Sequence, residues 1–194
     1  MKVWIVSFGG VCCTAVMESM RNQNISVNST VDGDKLKHLH SPRSKAYNDH
    51  VHSFDKIVYI YNDPLLAVLS MFRRGWAHGQ HNKINHHPTI SKMICDNFQL
   101  FQNYTISKNE EVFGCLTHFN EWNTFQHKIP ILFVDMRDHN SIREINTFLN
   151  SDVKIDIKKR SSNKSTCKNE LVDLYDKVDR MIVDKIKSKK NIHQ

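Results

Sequence analysis

Gly9, Gly10, Val11, Cys12, Cys13 and Thr14 follow a short apolar run and lead into the first helical pattern of the chain. The two glycines permit a tight turn with unusual backbone angles. A strand, a glycine turn and a helix start place main-chain N–H groups and a helix dipole where an anionic group can be held. The stretch has no GxxxxGK[ST], so it is not an ordinary Walker loop. A second cluster, Lys37, His38 and His40, comes just before Pro42. A histidine titrates near neutrality and can take a proton from a hydroxyl. Taken alone, His40 is a surface or hydrogen-bonded histidine. Ser70 lies one helical face from Arg73 and Arg74 and can receive a phosphate; otherwise Ser70 and Thr14 are ordinary helix residues.

Cys12 and Cys13 are adjacent, so they cannot form a relaxed metal pair by themselves. Small buried residues beside a turn is the default reading. A low-pKa thiolate at the helix start would open cysteine chemistry, although no base is evident for it. His78, His81, His86 and His87 lie close together, yet their spacing matches no closed zinc site and no metal is expected.

These residues need a frame. Residues 3–8 (VWIVSF) read as a strand buried on both faces, and a helix follows from Thr14 with Val16, Met17 and Met20 at helical spacing. Residues 22–33 read as a loop. Residues 35–40 (KLKHLH) alternate and read as a second strand, stopped by Ser41-Pro42. A weak helix over 43–52 precedes a strand over 56–61 (KIVYIY). Asn62-Asp63-Pro64 then opens a helix, with a capping side chain and Pro in the first turn, that ends near Gly75. Residues 76–88 read as a polar loop. Two amphipathic helices over 90–104 and 110–125 lead to a strand over 129–134 (IPILFV) and a helix over 141–149. An irregular basic stretch, 152–167, precedes a docked helix over 170–186. The alternation implies one α/β domain, three-layered α/β/α, with a central, mainly parallel sheet and right-handed crossovers.

A length of 194 residues suits a single domain. The 40% hydrophobic and 24% charged fractions are those of a soluble globular chain, not a disordered one. A net charge of +7 favours an anionic partner. The basic residues concentrate in KIDIKKRSSNKSTCK and DKIKSKK, where a solvated tail explains much of the charge. Nucleic acid is a possible partner but not the favoured one. Five cysteines without framework spacing suggest reduced thiols and a cytoplasmic setting. The Gly-Gly turn argues against reading the first residues as a signal peptide, and no apolar stretch is long enough to span a membrane.

Three segments, in this order, resemble the PAPS-dependent sulfotransferase family. Residues 9–15 stand where that family has a donor loop of the type PKSGTTW around the 5′-phosphosulfate. Lys37-His38-Leu39-His40-Ser41-Pro42 resembles its K-T-H-L-P-like segment, with His40 at the base position. Residues 61–72 resemble its RNPxDxxxSxY segment, with Ser70 at the 3′-phosphate serine. Asp135 stands where a carboxylate follows a later strand, and Lys159-Arg160-Ser161-Ser162 echoes the final basic phosphate loop. The resemblance implies a P-loop NTPase-like, sulfotransferase-like fold and sulfuryl transfer from PAPS to a hydroxyl or amine of an unidentified acceptor. It implies donor contacts from Gly9 to Thr14, Asn62, Ser70, Arg73, Arg74 and Arg160, and catalysis by His40 with Lys37. The chain also departs from the pattern. The family's donor-loop lysine falls at Gly10, its glycine at Cys12 and its adenine-stacking tryptophan at Ala15, while Asn62 replaces an arginine. Lys37, and Arg73 or Arg74, are the residues able to supply the missing charges. A binding protein of the same shape that has lost catalysis is the alternative.

Overall fold

The computed structural model describes residues 1–85, 90–156 and 163–192. Four parallel strands, β1 (Lys2–Val6), β2 (Ser26–Val27), β3 (Lys56–Tyr61) and β4 (Ile131–Asp135), form one sheet in the order β2-β1-β3-β4. Val3 pairs with Val27 on one side and with Lys56 on the other. Val3 to Val6 and Ile57 to Tyr61 are fully buried, so the continuous apolar runs mark strands covered on both faces, as expected of a parallel sheet. Trp4 stacks on Tyr47, and Trp122 meets both rings edge-on.

Helix α1 (Cys13–Arg21) buries Cys13, Val16, Met17 and Met20 and returns the chain to β2. Helix α2 (Lys45–His50), capped by Ser44 and followed by a 3-10 turn, leads into β3. Helix α3 (Pro64–Arg73) opens as its sequence dictates: the Asp63 carboxylate accepts from Leu66 N–H at 3.0 Å and Pro64 occupies the first turn. The order 2-1-3-4 makes the chain leave β1 toward one edge and β3 toward the other. The crevice between the C-terminal ends of β1 and β3 is therefore a topological switch point, where open α/β sheets bind ligands. The turn after β1 and residues 62–63 after β3 both emerge there.

Several sequence expectations are corrected. Residues 35–40 are irregular, because Lys35 sits at φ 58° and Asp32 at φ 59°, left-handed conformations that a strand does not hold. The short β2 lies inside the stretch read as a loop. The stretch read as a loop from 76 contains helix α4 (Ala77–Ile84), whose buried face is Ala77, Gln80, His81 and Ile84. Two of those four are polar, which hid the helical period. The single helix expected over 90–104 is divided into α5 (Lys92–Asp96) and α6 (Phe98–Lys108), because Asn97 caps a new start by accepting from Leu100 N–H. Helix α7 (Cys115–Thr124) begins later than expected, after Gly114 at φ 103°. Helix α8 (Ser141–Leu149) falls where its periodicity put it, and α9 (Asn169–Ile192) begins as expected but runs on past Ile186 to Ile192. Among the described residues no helix is long and apolar enough to cross a membrane.

Candidate functional site

Ser7, fully buried at the end of β1, organises the corner that follows. Its hydroxyl accepts from Gly9 N–H at 3.1 Å and from the Cys13 thiol at 2.9 Å. Gly9 at φ 98°, Gly10 at φ 70° and Cys12 at φ 66° then turn the chain into α1. The glycines are required twice, by backbone angle and by space. A Cβ on Gly9 would stand 2.7 Å from Gln80 Nε2, and one on Gly10 would stand 2.7 Å from the Ala67 carbonyl oxygen. Gln80 is itself fixed by donating to the Phe8 carbonyl at 2.9 Å. The inner side of the turn is thus packed against α3 and α4. The other side faces water: Thr14 is exposed, and Gly10 and Cys12 are half-buried.

Lys37 reaches this corner from the neighbouring segment. Its backbone carbonyl accepts from Ser7 N–H at 3.0 Å, and its ammonium lies 3.5 Å from Thr14 Oγ1 while also donating to the Thr30 carbonyl. The residue is only 7% exposed, yet no carboxylate among the described residues comes within ion-pair distance of that ammonium. The nearby Asp32 is spent elsewhere, on Lys37 N–H at 3.0 Å and on Lys83 Nζ at 2.7 Å. A buried ammonium held by a carbonyl and a hydroxyl alone is costly until an anion joins it.

His38 stands beside it. Its Nδ1–H donates to the Ser7 carbonyl at 3.0 Å, which leaves Nε2 as an acceptor. Burial, opposed by the Ser7 hydrogen bond and by Asp32 and reinforced by Lys37 and Lys83, pushes its pKa down to about 4. His38 is therefore a neutral imidazole at physiological pH.

His40, the expected base, is half-buried one residue beyond Leu39, near enough to His118 to act on it electrostatically. The next residue, Ser41, donates to Glu121 Oε2 at 2.8 Å, so the chain is there turning toward α7. The sequence offers both histidines without distinguishing them, and it presents Ser7 only as part of the strand run. The spacing of His38 to Lys37 gave no sign of which histidine would face the turn.

The segment after β3 is arranged differently. Asn62 Oδ1 accepts from Asp63 N–H, and the Asp63 carboxylate that caps α3 also pairs with Lys164 Nζ at 2.8 Å. The start of α3 is therefore filled by the chain's own carboxylate. Ser70 is buried one turn after Ala67, and among the described residues it makes no hydrogen bond to the turn. Arg73 is exposed, and Arg74 lies over the Trp76 ring at 5.1 Å. Asp135 is held by Arg137 at 2.7 Å, and Arg137 also pairs with Asp179. Arg160 lies outside the described residues, as do His86 and His87.

Cys13 is no thiolate: burial, only partly countered by the Ser7 hydrogen bond, raises its pKa to about 12. His81 is buried, with Nδ1–H donating to the Phe113 carbonyl at 2.9 Å. Among the described residues no group of three histidine, cysteine or acidic side chains is placed to hold a metal ion. A shallow depression of about 340 Å³ at Arg21 and residues 24–27 lies at the far end of α1 from the turn. The chain matches no family model, no curated protein and no solved structure.

Proposed function

We propose that the corner between β1, α1 and Lys37 binds the phosphosulfate end of a PAPS-type donor, and that the protein is a sulfotransferase-like enzyme acting on a hydroxyl or amine acceptor. The observation that carries this reading is the Lys37 ammonium, buried with no carboxylate partner among the described residues and 3.5 Å from the hydroxyl of Thr14. An ammonium has three donors, and two have protein partners among the described residues, so one remains for an anionic oxygen. The bound donor supplies the activated sulfuryl group. Lys37 and Thr14 neutralise the leaving oxygen, the work of the family's donor-loop lysine. That lysine could not stand at position 10, where the Ala67 carbonyl is too close. His38, with Nδ1–H held by Ser7, offers Nε2 to the acceptor's proton; an anion beside Lys37 offsets that lysine's influence and lifts His38 toward its ordinary pKa.

Sulfuryl transfer asks the protein for positioning and charge neutralisation more than for covalent chemistry. The P-loop-like form of the three-layer α/β/α architecture belongs to this same reading, supported by the switch point at β1 and β3. A second reading, a binder without catalysis, is favoured by Asp63 and Lys164 filling the place expected of a 3′-phosphate site. Calorimetry with the desulfonated product nucleotide tests the binding, and transfer of radiolabelled sulfate to a mixed acceptor panel tests the chemistry. Binding with transfer supports the enzyme, and binding alone supports the second reading. The absence of both overturns the reading.

A further inference from the structure

Residues 36–39 form neither helix nor strand, yet Leu36, Lys37 and Leu39 are only 2%, 7% and 7% exposed, with His38 half-buried between them. Irregular segments ordinarily run over the surface, where water satisfies their carbonyls. Here protein donors do so instead. Trp4 Nε1–H donates to the Leu36 carbonyl at 3.0 Å, and Ser7 N–H to that of Lys37 at 3.0 Å. The Leu39 carbonyl takes two donors, His118 Nε2–H at 2.9 Å and Trp122 Nε1–H at 3.0 Å. A carbonyl oxygen has two lone pairs, and here two donors one turn apart on α7 take both and so fix its direction.

The His118 side of this clamp is locked in turn. Tyr59 O–H, from the centre of β3, donates to His118 Nδ1 at 2.8 Å, which leaves the proton of the neutral ring on Nε2. Both rings of the clamp are fully buried. Burial, against the Leu39 hydrogen bond, pushes the His118 pKa down to about 3, so the ring keeps this tautomer throughout the physiological range. The chain of contacts runs from the sheet through Tyr59, His118 and Leu39 to the two residues of the anion corner.

We infer that His118 and Trp122 are positioning residues, which grip the Leu39 carbonyl and so hold Lys37 and His38 at the turn. The inference rests on the proposed anion corner. Neither residue touches the ligand, and the clamp acts by keeping His38 Nδ1–H on Ser7 and the Lys37 ammonium at Thr14. The charged groups that act on His38 are Asp32, Lys37 and Lys83, and their influence changes if the segment slackens.

The test compares the full chain with its Trp122→Phe, His118→Leu and His118→Gln variants. Three readouts are followed: the His38 titration by proton NMR, affinity for the desulfonated product nucleotide, and thermal unfolding. Trp122→Phe keeps a ring in place and removes one N–H, which guards against loss of the fold. The expected result for Trp122→Phe and His118→Leu is a His38 pKa moved up from about 4 toward its ordinary value and nucleotide affinity weakened about tenfold. His118→Gln retains a side-chain N–H and restores both. If the variants melt earlier while His38 titrates as in the parent, the clamp is purely structural and the inference is overturned. Should the parent chain bind no nucleotide, the anion reading fails on its own, and the His38 titration still decides the clamp.

Discussion

The ammonium of Lys37 stands 3.5 Å from the hydroxyl of Thr14, across the join between an irregular segment and the first turn of α1. Twenty-three residues separate them in the chain, and their meeting depends on Ser7 N–H holding the Lys37 carbonyl. A cation from one segment thus faces a helix start from another.

Lys37→Met separates anion binding from stability. Losing a charge-assisted contact should weaken product-nucleotide binding by about 1.5–3 kcal/mol, roughly ten- to a hundredfold, in calorimetry. The same change removes a buried ammonium that has no carboxylate partner among the described residues, so the melting temperature should hold or rise. A variant that melts far earlier and binds normally would refute the assignment.

Gly10→Ala should destabilise the protein by about 2 kcal/mol or more, because a left-handed backbone and a blocked Cβ position act together. The obstruction is the Ala67 carbonyl oxygen at 2.7 Å, which belongs to helix backbone and has little room to yield. Gly79 lies inside α4 with nothing within 4 Å of its Cβ position, so Gly79→Ala should instead stabilise by about 0.5–1 kcal/mol. Urea unfolding of the two variants checks the contrast.

Acidification should destabilise the fold between about pH 6.5 and 4. His38 and His118 have native pKa values lowered to about 4 and about 3, and His81 and His127 are lowered too, in each case chiefly by burial. A lowered histidine binds its proton more readily in the unfolded chain. Its stabilisation is complete above the unfolded pKa and is lost as pH falls toward the native one. Each such histidine adds a slope of about 1.4 kcal/mol per pH unit inside its window. Glu111, raised mainly by burial, works the other way: its contribution is present at low pH and lost as pH rises through its native pKa. Urea unfolding at pH 7, 6 and 5 should show falling stability, and His118→Gln should flatten the trend.

Thiol labelling should discriminate between neighbours. Cys13 is buried, with its pKa raised to about 12, whereas Cys12 is half-buried at the surface of the turn. Iodoacetamide at pH 8 followed by peptide mass mapping should modify Cys12 well before Cys13, Cys95 or Cys115, all three buried. Equal labelling of Cys13 would show that the corner opens far more than its packing implies.

Much of the frame was legible where one physical signal dominated. β1 and β3 announced themselves as short apolar runs, and Asp63-Pro64 marked the start of α3 through capping and a fixed φ. Legibility failed where buried polar side chains carried the structure. Gln80 and His81 broke the apolar pattern of α4, although both lie inside. β2 pairs through only two residues and is then prolonged by the Asn28 side chain, which bonds both Ile5 N–H and the Ile5 carbonyl. Residues 35–40 alternate like a strand, but side chains from β1 and α7 take the carbonyls that a strand would offer a neighbour. The pairing of Lys37 with the turn was accessible from charge considerations. That His38, and not His40, bonds the Ser7 carbonyl at the turn is set by tertiary contacts alone.

The long C-terminal helix α9 touches α3, α6, α7 and β4, and it buries Leu171, Tyr175, Val178, Ile182 and Ile186 against them. Its Asp179 receives the Tyr61 hydroxyl from the central strand. Translation delivers that helix after every strand of the sheet. The nascent polypeptide must therefore carry an unsealed hydrophobic flank until α9 emerges, a window in which chaperones have something to hold.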